Sequence, residues 1–159
     1  MTIDVQFAVQ DLNARHVEAI DDNRLEAWPD FFAAHGRYRI TTADNYEKEL
    51  PLALIYATSR AMLRDRVRSL RDANVYEAQR YRHMIGPPLI REHHGSEVHA
   101  QTSFMVARIM HSGETMLFAT GRYRDHIDLS TADGGGPCFL EKTVILDSRS
   151  IDTLLAIPL

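Results

Sequence analysis

The spacing of apolar residues predicts helices in the first part of the chain. Over residues 3–20 an apolar residue recurs every three or four positions, which is the period of one helix face. The residues on that face are Val5, Val9, Leu12, His16 and Ile20. A second, short helix is predicted over Leu25–Phe32, with Pro29 near its start. Gly36 interrupts the pattern and is expected to end this helical region.

The second part of the chain alternates apolar and polar residues, which is the period of a β-strand. The predicted long strands are Tyr81–Glu92, Glu97–Met110, Glu114–Leu129 and Phe139–Asp147. Glycines predict turns between them at His94–Ser96, Ser112–Glu114 and Asp133–Pro137. An earlier strand is predicted over Arg37–Thr42, and a polar loop over Thr41–Pro51. This order indicates an α+β fold over a single domain, residues 1–159, with N-terminal helices packed on a curved, mostly antiparallel sheet.

An amphipathic helix rich in arginine is predicted after Thr58 or Ser59, either of which can cap it. Its apolar face comprises Leu63, Val67 and Leu70, and its arginine face comprises Arg60, Arg64, Arg68 and Arg71. The residues between these faces, and those in the R-Y-R-H sequence downstream, are Asp65, Arg66, Arg80, Arg82 and His83. Two interpretations are open for this region. It is either a solvated helix with ion pairs between successive turns, or a subunit interface formed by those five residues.

Composition and charge limit the classes of partner. The 159 residues are 45% hydrophobic and carry a net charge of −4, so no nucleic-acid or membrane partner is expected. The N-terminus lacks the basic and apolar regions of a secretion signal, and we expect a cytoplasmic protein. All basic residues except Lys48 and Lys142 are arginine, which suits desolvated ion pairs at interfaces but also follows from a coding bias.

The chain lacks the ligands for the common iron centres. A Rieske cluster needs two cysteines and two histidines, whereas Cys138 is the only cysteine. His94 and His99 form an H-x4-H pair, but Gly95 places a turn between them and Arg91 stands where a carboxylate ligand would be expected. We therefore expect no metal site and no cofactor in this chain.

Several motifs in order along the chain carry a family resemblance. They are Trp28-x-x-Phe31-Phe32 with Tyr38, the run Met62–Val67, Arg80-Tyr81-Arg82-His83 and the closing run Asp152–Leu159. With these motifs the chain resembles the small (beta) subunits of aromatic-ring-hydroxylating dioxygenases, the Rieske non-haem iron oxygenases. Three further runs resemble the members that act on carboxylated aromatics such as terephthalate or salicylate: Asp44–Glu47, Asn45–Leu52 and Phe104–Thr115.

The resemblance implies a fold, a role and partners. The fold would be the cone of nuclear transport factor 2 (NTF2), ketosteroid isomerase and scytalone dehydratase. The chain would be a non-catalytic structural subunit that trimerises and supports three catalytic alpha subunits in an α3β3 hexamer. The Rieske [2Fe-2S] cluster and a mononuclear Fe(II) would belong to the alpha subunit, with electrons from NAD(P)H supplied through a separate reductase. Terephthalate is the expected substrate, and salicylate or a related benzoate is the second choice.

An independent enzyme is the alternative, because a cone of this kind can enclose a pocket with acid–base groups. The candidate groups are Tyr38, Asp44, Tyr46, His83 and His111. In this hypothesis His83 deprotonates a substrate with Asp65 orienting it, and Tyr38 and Asp44 complete a cofactor-free dehydratase or isomerase.

Overall fold

The computed structural model describes residues 2–73, 78–130, 135–150 and 157–159, with side chains described from residue 4 onward. In chain order the helices are α1 (Thr2–Asp21), a 3-10 helix (Trp28–Phe31), α2 (Ala43–Glu47) and α3 (Arg60–Ala73). The strands are β1 (Phe32–Thr42), β2 (Ile55–Ala57), β3 (Gln79–Ile85), β4 (Leu89–His94), β5 (Glu97–Met110), β6 (Thr115–Asp128) and β7 (Cys138–Leu146). The predicted α+β class is confirmed.

The strands form a single sheet in the order β2-β1-β7-β6-β5-β3, with β4 also paired to β5. The β1–β7 pair is parallel and every other pair is antiparallel. Along β5 and β6 buried and exposed side chains alternate, so the sheet has an inner and an outer face. Buried residues of α1, α3 and the inner face join in one apolar cluster. The helices therefore close the inner face, while the outer face stays open to solvent.

A glycine permits the closest approach between two central strands. Gly121 of β6 lies opposite Leu146 of β7. A Cβ atom added there would clash with the carbonyl oxygen of Ile145. Any side chain at position 121 would therefore force the strands apart.

The predictions for α1, α3 and the strands β5 to β7 are confirmed within one or two residues at each end. Ser59 is the N-cap of α3, because its Oγ accepts a hydrogen bond from the backbone N–H of Met62 at 3.2 Å. The predicted long loop falls partly, at residues 133–134, outside the described residues. The same holds for residues 152–156 of the C-terminal motif.

Four predictions of local structure are wrong. The predicted strand 81–92 is two strands, because Pro87 and Pro88 lack the N–H groups that a continuous strand needs. The predicted helix 25–32 shrinks to a 3-10 helix, Trp28–Phe31, and β1 begins at Phe32. Gly36 lies inside β1 at a register shift instead of breaking the chain. The predicted loop 41–51 contains α2, which is capped by the hydroxyl of Thr42.

No helix among the described residues is long and apolar enough to cross a membrane.

Candidate functional site

The acid–base residues predicted for a cone enzyme do not come together. Tyr38 is fully buried, and its hydroxyl donates to the Leu159 carbonyl at 2.9 Å and accepts from the Leu159 N–H at 3.1 Å. Asp44 lies in α2, where its carboxylate pairs with Arg149 at 2.6 Å. His111 is exposed in the turn between β5 and β6. Because Tyr38 and Asp44 have partners in different parts of the fold and His111 is exposed in a turn, the structure does not favour the predicted dehydratase arrangement of Tyr38, Asp44 and His83.

His83 is bound by a carboxylate that the sequence did not indicate. Its ring Nδ1 lies 2.6 Å from Asp21 Oδ1, and its backbone N–H donates to Asp21 Oδ2 at 2.9 Å. The Asp21 side chain is 3% exposed and the His83 side chain is fully buried. Asp65, the predicted partner, is instead exposed and lies 3.5 Å from Arg68. The His83–Asp21 pair therefore ties the end of α1 to β3.

A buried ion pair in the core was also missed by the sequence analysis. Lys142 Nζ lies 3.0 and 3.1 Å from the two carboxylate oxygens of Asp125 and 3.2 Å from Asn13 Oδ1. The rings of Tyr123 and Phe139 face the same ammonium group at 3.8 and 4.2 Å. Burial lowers the pKa of Lys142 and raises the pKa of Asp125, and their mutual attraction opposes both shifts. The one available signal was that Lys142 is one of only two lysines and lies within a predicted strand.

His16 is a second polar group inside the core. Its Nε2 accepts a hydrogen bond from the indole N–H of Trp28 at 2.9 Å, and three phenylalanine rings lie within about 6 Å of its own. Burial and the nearby charge of Lys142 lower the pKa of His16 well below its usual value, so the ring is neutral near pH 7. Burial likewise raises the pKa of Tyr38 and Tyr123. His16 and Tyr38 are held by hydrogen bonds within the core, whereas the Tyr123 hydroxyl and the His16 Nδ1 are buried without a hydrogen-bond partner among the described residues.

The histidine pair predicted to be unsuitable for metal does not converge. His94 stands at the end of β4, 3.9 Å from Glu92, with its side chain 81% exposed. The His99 ring stacks on that of His126 at a centroid distance of 4.1 Å. Over the part of the chain that the structure describes, no group of three or more His, Cys, Asp or Glu side chains is arranged to hold a metal ion.

The arginines of α3 divide between the two interpretations. Arg64 pairs with Asp30 at 3.0 Å and Arg68 lies near Asp65, and all four of these side chains are exposed. These contacts belong to an ordinary solvated helix face. Arg66 is half-buried.

Arginines of β3 border a separate surface. The side chains of Arg80 and Arg82 point away from the core and line a groove of about 330 Å³ beside Asp21 and Asp22. Arg82 reaches within 4.0 Å of Asp21 and remains 65% exposed.

Further arginines gather on the outer face of the sheet. Two adjoining grooves, of about 650 and 210 Å³, share Arg39 and Tyr46. The larger groove also contacts Arg122, and the smaller one contacts Arg91 and Arg124. We call the four arginines Arg39, Arg91, Arg122 and Arg124 the arginine face.

Comparison with known proteins gives a consistent assignment. The family model described as "Ring hydroxylating beta subunit" matches residues 15–153. Subunit beta 1 of the terminal oxygenase component of terephthalate 1,2-dioxygenase from Comamonas sp. is 40% identical over 159 residues, the whole of both chains. The small subunit of anthranilate 1,2-dioxygenase from Burkholderia cepacia is 35% identical over 96% of this chain and 93% of its own.

A solved structure supports the same assignment. The beta subunit provisionally assigned to an aromatic-ring-hydroxylating dioxygenase of Novosphingobium aromaticivorans superposes with a TM-score of 0.89 at 37% identity, covering 99% of each chain. The predicted NTF2-like fold is therefore confirmed.

Proposed function

The chain belongs to the ring hydroxylating beta subunit family, and on that premise we propose that it is the small subunit of the terminal oxygenase component of an aromatic ring-hydroxylating dioxygenase. The observation that carries the proposal is the 40% identity to a terephthalate dioxygenase beta subunit from end to end of both chains.

The subunit's role in this proposal is structural. Most polar groups inside the cone are bound by other groups of the chain: Tyr38 by Leu159, Lys142 by Asp125, and His16 by Trp28. The Tyr123 hydroxyl and the second ring nitrogens of His16 and His83 have no hydrogen-bond partner among the described residues, but they are buried away from solvent. A general acid or base must instead reach a substrate proton within hydrogen-bond distance. The Rieske [2Fe-2S] cluster and the mononuclear Fe(II) would reside in the large subunit, because one cysteine cannot supply the ligands of a Rieske cluster. A separate reductase would deliver electrons from NAD(P)H to that subunit.

The proposed substrate is a carboxylated aromatic compound. The relatives at 40% and 35% identity belong to dioxygenases of terephthalate and anthranilate, and both compounds carry a carboxylate on an aromatic ring. Terephthalate is the first choice. The pocket that selects it would lie in the large subunit.

The proposed assembly is a trimer of this chain carrying three large subunits, an α3β3 hexamer with closed cyclic symmetry. For contacts between subunits we retain Arg66, Arg80 and Arg82, of which the last two are exposed along β3, an outer strand of the sheet. His83 is removed from this set because its side chain is fully buried against Asp21. Asp65 stays a candidate, since it is exposed and its contact with Arg68 is weak.

Co-expression with the cognate Rieske-type large subunit tests the proposal. We expect the two chains to co-purify as a complex of roughly 200 kDa, measured by sedimentation velocity. The same chain purified alone should be colourless and free of iron, measured by absorption spectroscopy and metal analysis. A Rieske spectrum from this chain alone, or a monomer that does not bind the large subunit, would contradict the proposal.

A further inference from the structure

The arginine face gathers four arginines that have no carboxylate partner among the described residues. Within the described ranges Arg39, Arg91 and Arg122 form no ion pair, and Arg124 donates only to the amide oxygen of Gln101, at 3.1 Å. Six other arginines pair with carboxylates, whereas the exposed Arg37 and Arg80 stand apart from the arginine face without an ion pair. The paired ones are Arg15, Arg24, Arg64, Arg68, Arg71 and Arg149. The Nε atoms of Arg39 and Arg122 are buried without a hydrogen-bond partner. Three carboxylates outside the core, Glu47, Glu49 and Glu141, line the same grooves, but none of them forms an ion pair with these arginines. The four arginines outnumber these carboxylates and keep their ion-pairing capacity for a partner.

These arginines share one face because of the strand register. Arg39 of β1 lies beside Thr143 of β7, which lies beside Arg124 of β6, which in turn lies opposite Gln101 of β5. Arg122 lies two residues before Arg124 on β6, so its side chain points to the same face. The charged surface therefore spans at least four strands, or roughly 15 Å at the usual spacing between strands.

An exposed apolar ridge borders the arginine face. It consists of alternate residues that are 40%, 59%, 50% and 55% exposed: Leu50, Leu52, Leu54 and Tyr56. Two contacts fix its position along β1. Tyr56 lies opposite Arg39 in the β1–β2 pair, and the Leu52 carbonyl accepts a hydrogen bond from the Thr41 hydroxyl at 2.9 Å. We call these four residues the leucine ridge.

The two features together have the composition of a protein interface. Arginine and aromatic residues are enriched at such interfaces, and lysine is depleted. Contiguous exposed apolar side chains with a polar rim mark a docking surface, and here the rim holds arginines without ion pairs. The larger groove lies between the two features, since its lining includes Arg39 and Arg122 on one side and Leu50 and Pro51 on the other.

We infer that the arginine face and the leucine ridge bind an acidic, partly apolar segment of the large oxygenase subunit. This inference rests on the proposed function. Charge complementarity favours a different polypeptide over a second copy of this chain. Most exposed carboxylates described here are engaged by the chain's own arginines or other side chains. Of those outside any ion pair or side-chain hydrogen bond, Glu47 and Glu49 line the larger groove itself. The others, Asp4, Asp72 and Glu114, lie apart on α1, α3 and the turn between β5 and β6, so they form no acidic patch that a second copy could present.

Charge reversal on the arginine face tests the inference. Arg122→Glu/Arg124→Glu should weaken binding of the large subunit at least about 100-fold, because each reversal replaces an attraction by a repulsion. The matched control is Arg15→Glu/Arg24→Glu, which makes the same change in net charge at exposed positions of α1 and the turn after it. The control should bind within about 3-fold of wild type. The affinity of the wild-type pair should also fall as salt is raised.

A second variant keeps the test decisive if the first one folds poorly. Leu52→Ser/Leu54→Ser alters only exposed side chains and leaves every arginine in place. We expect it to fold normally, with the fluorescence of the buried Trp28 unchanged, and to bind the large subunit about 10-fold or more weakly.

The outcomes separate this inference from the proposed function. If the wild-type chain fails to bind the large subunit, the proposed function fails. If wild type and both variants bind equally, the proposed function stands and this inference is overturned. Loss of self-association with unchanged large-subunit binding would make a second copy the occupant and would also overturn it. Binding of terephthalate at the arginine face, with large-subunit affinity unchanged in the variants, would overturn it in favour of a small-anion site.

Discussion

Replacement of Lys142 by methionine should strongly destabilise the fold. The substitution preserves most of the side-chain length but removes the ammonium group that lies 3.0 Å from the Asp125 carboxylate, in a site with no solvent exposure for either side chain. Breaking a buried ion pair by removing one partner typically costs about 3–5 kcal/mol. The loss arises because the remaining carboxylate stays in the core without a counter-charge.

The chemistry of Asp125 sets an upper limit on that loss. The buried carboxyl can escape the penalty by taking up a proton, and protonating a carboxyl of unperturbed pKa near 3.9 at pH 7 costs about 4 kcal/mol. The variant's folded state then holds one proton more than its unfolded state above about pH 4. Its stability should therefore fall by about 1.4 kcal/mol for each pH unit above that value, until the raised pKa of the folded carboxyl is reached.

Urea denaturation followed by the fluorescence of Trp28, the only tryptophan, measures the effect. We expect Lys142→Met to lose about 4 kcal/mol relative to wild type at pH 7 and much less at pH 4.5. The double variant Lys142→Met/Asp125→Leu should recover a large part of the loss, and Lys48→Met at an exposed position should change stability by about 0.5 kcal/mol or less. A loss below about 1 kcal/mol at pH 7, or one that is independent of pH, would refute this account of the core.

Two further predictions concern the end of α1 and the edge at β3. Asp21→Ala should lower the unfolding free energy by about 3–5 kcal/mol, because it leaves both hydrogen-bonding groups of the buried His83 without their carboxylate. The control Asp22→Ala, at an exposed position, should lower the unfolding free energy by about 0.5 kcal/mol or less. Equal denaturation midpoints for Asp21→Ala and Asp22→Ala would contradict a stabilising role of the Asp21–His83 contact. If a partner subunit desolvates Arg82, Arg82→Ala should weaken the free energy of subunit association by about 2–5 kcal/mol, whereas Arg64→Ala should leave it unchanged. Sedimentation that is identical for the two arginine variants would place the interface elsewhere.

Local sequence patterns predicted the elements whose formation depends on neighbouring residues. The period of apolar residues located α1, α3 and the strands β5 to β7, and Gly113 marked the hairpin turn between two of them. For two of the wrong predictions, the strand over residues 81–92 and the break at Gly36, the deciding residues are visible in the sequence. Pro87 and Pro88 already lack the N–H groups of a continuous strand, so the break between β3 and β4 was present in the sequence. Gly36 resembled a terminator, but it occupies a bulged position where β1 approaches Phe139.

Pairings between distant residues were decided only by the tertiary structure. Asp21 and His83 are 62 positions apart, and Asn13 and Lys142 are 129 apart. A carboxylate at the C-terminal end of a helix opposes the helix dipole, so Asp21 needs a specific partner that the sequence does not name. Two carboxylates were possible partners of His83, namely Asp21 and the predicted Asp65. That Asp21 is the partner depends on how α1 crosses β3.

The sequence by itself thus determined the class of fold and the family, because repeated local periods and ordered motifs suffice for those. It did not determine which polar residues share the core or which arginines share the outer face. Those groupings depend on strand register, and a shift of one residue moves every side chain of a strand to the opposite face. The structure supplied that register, and with it both the buried Lys142–Asp125 pair and the arginine face.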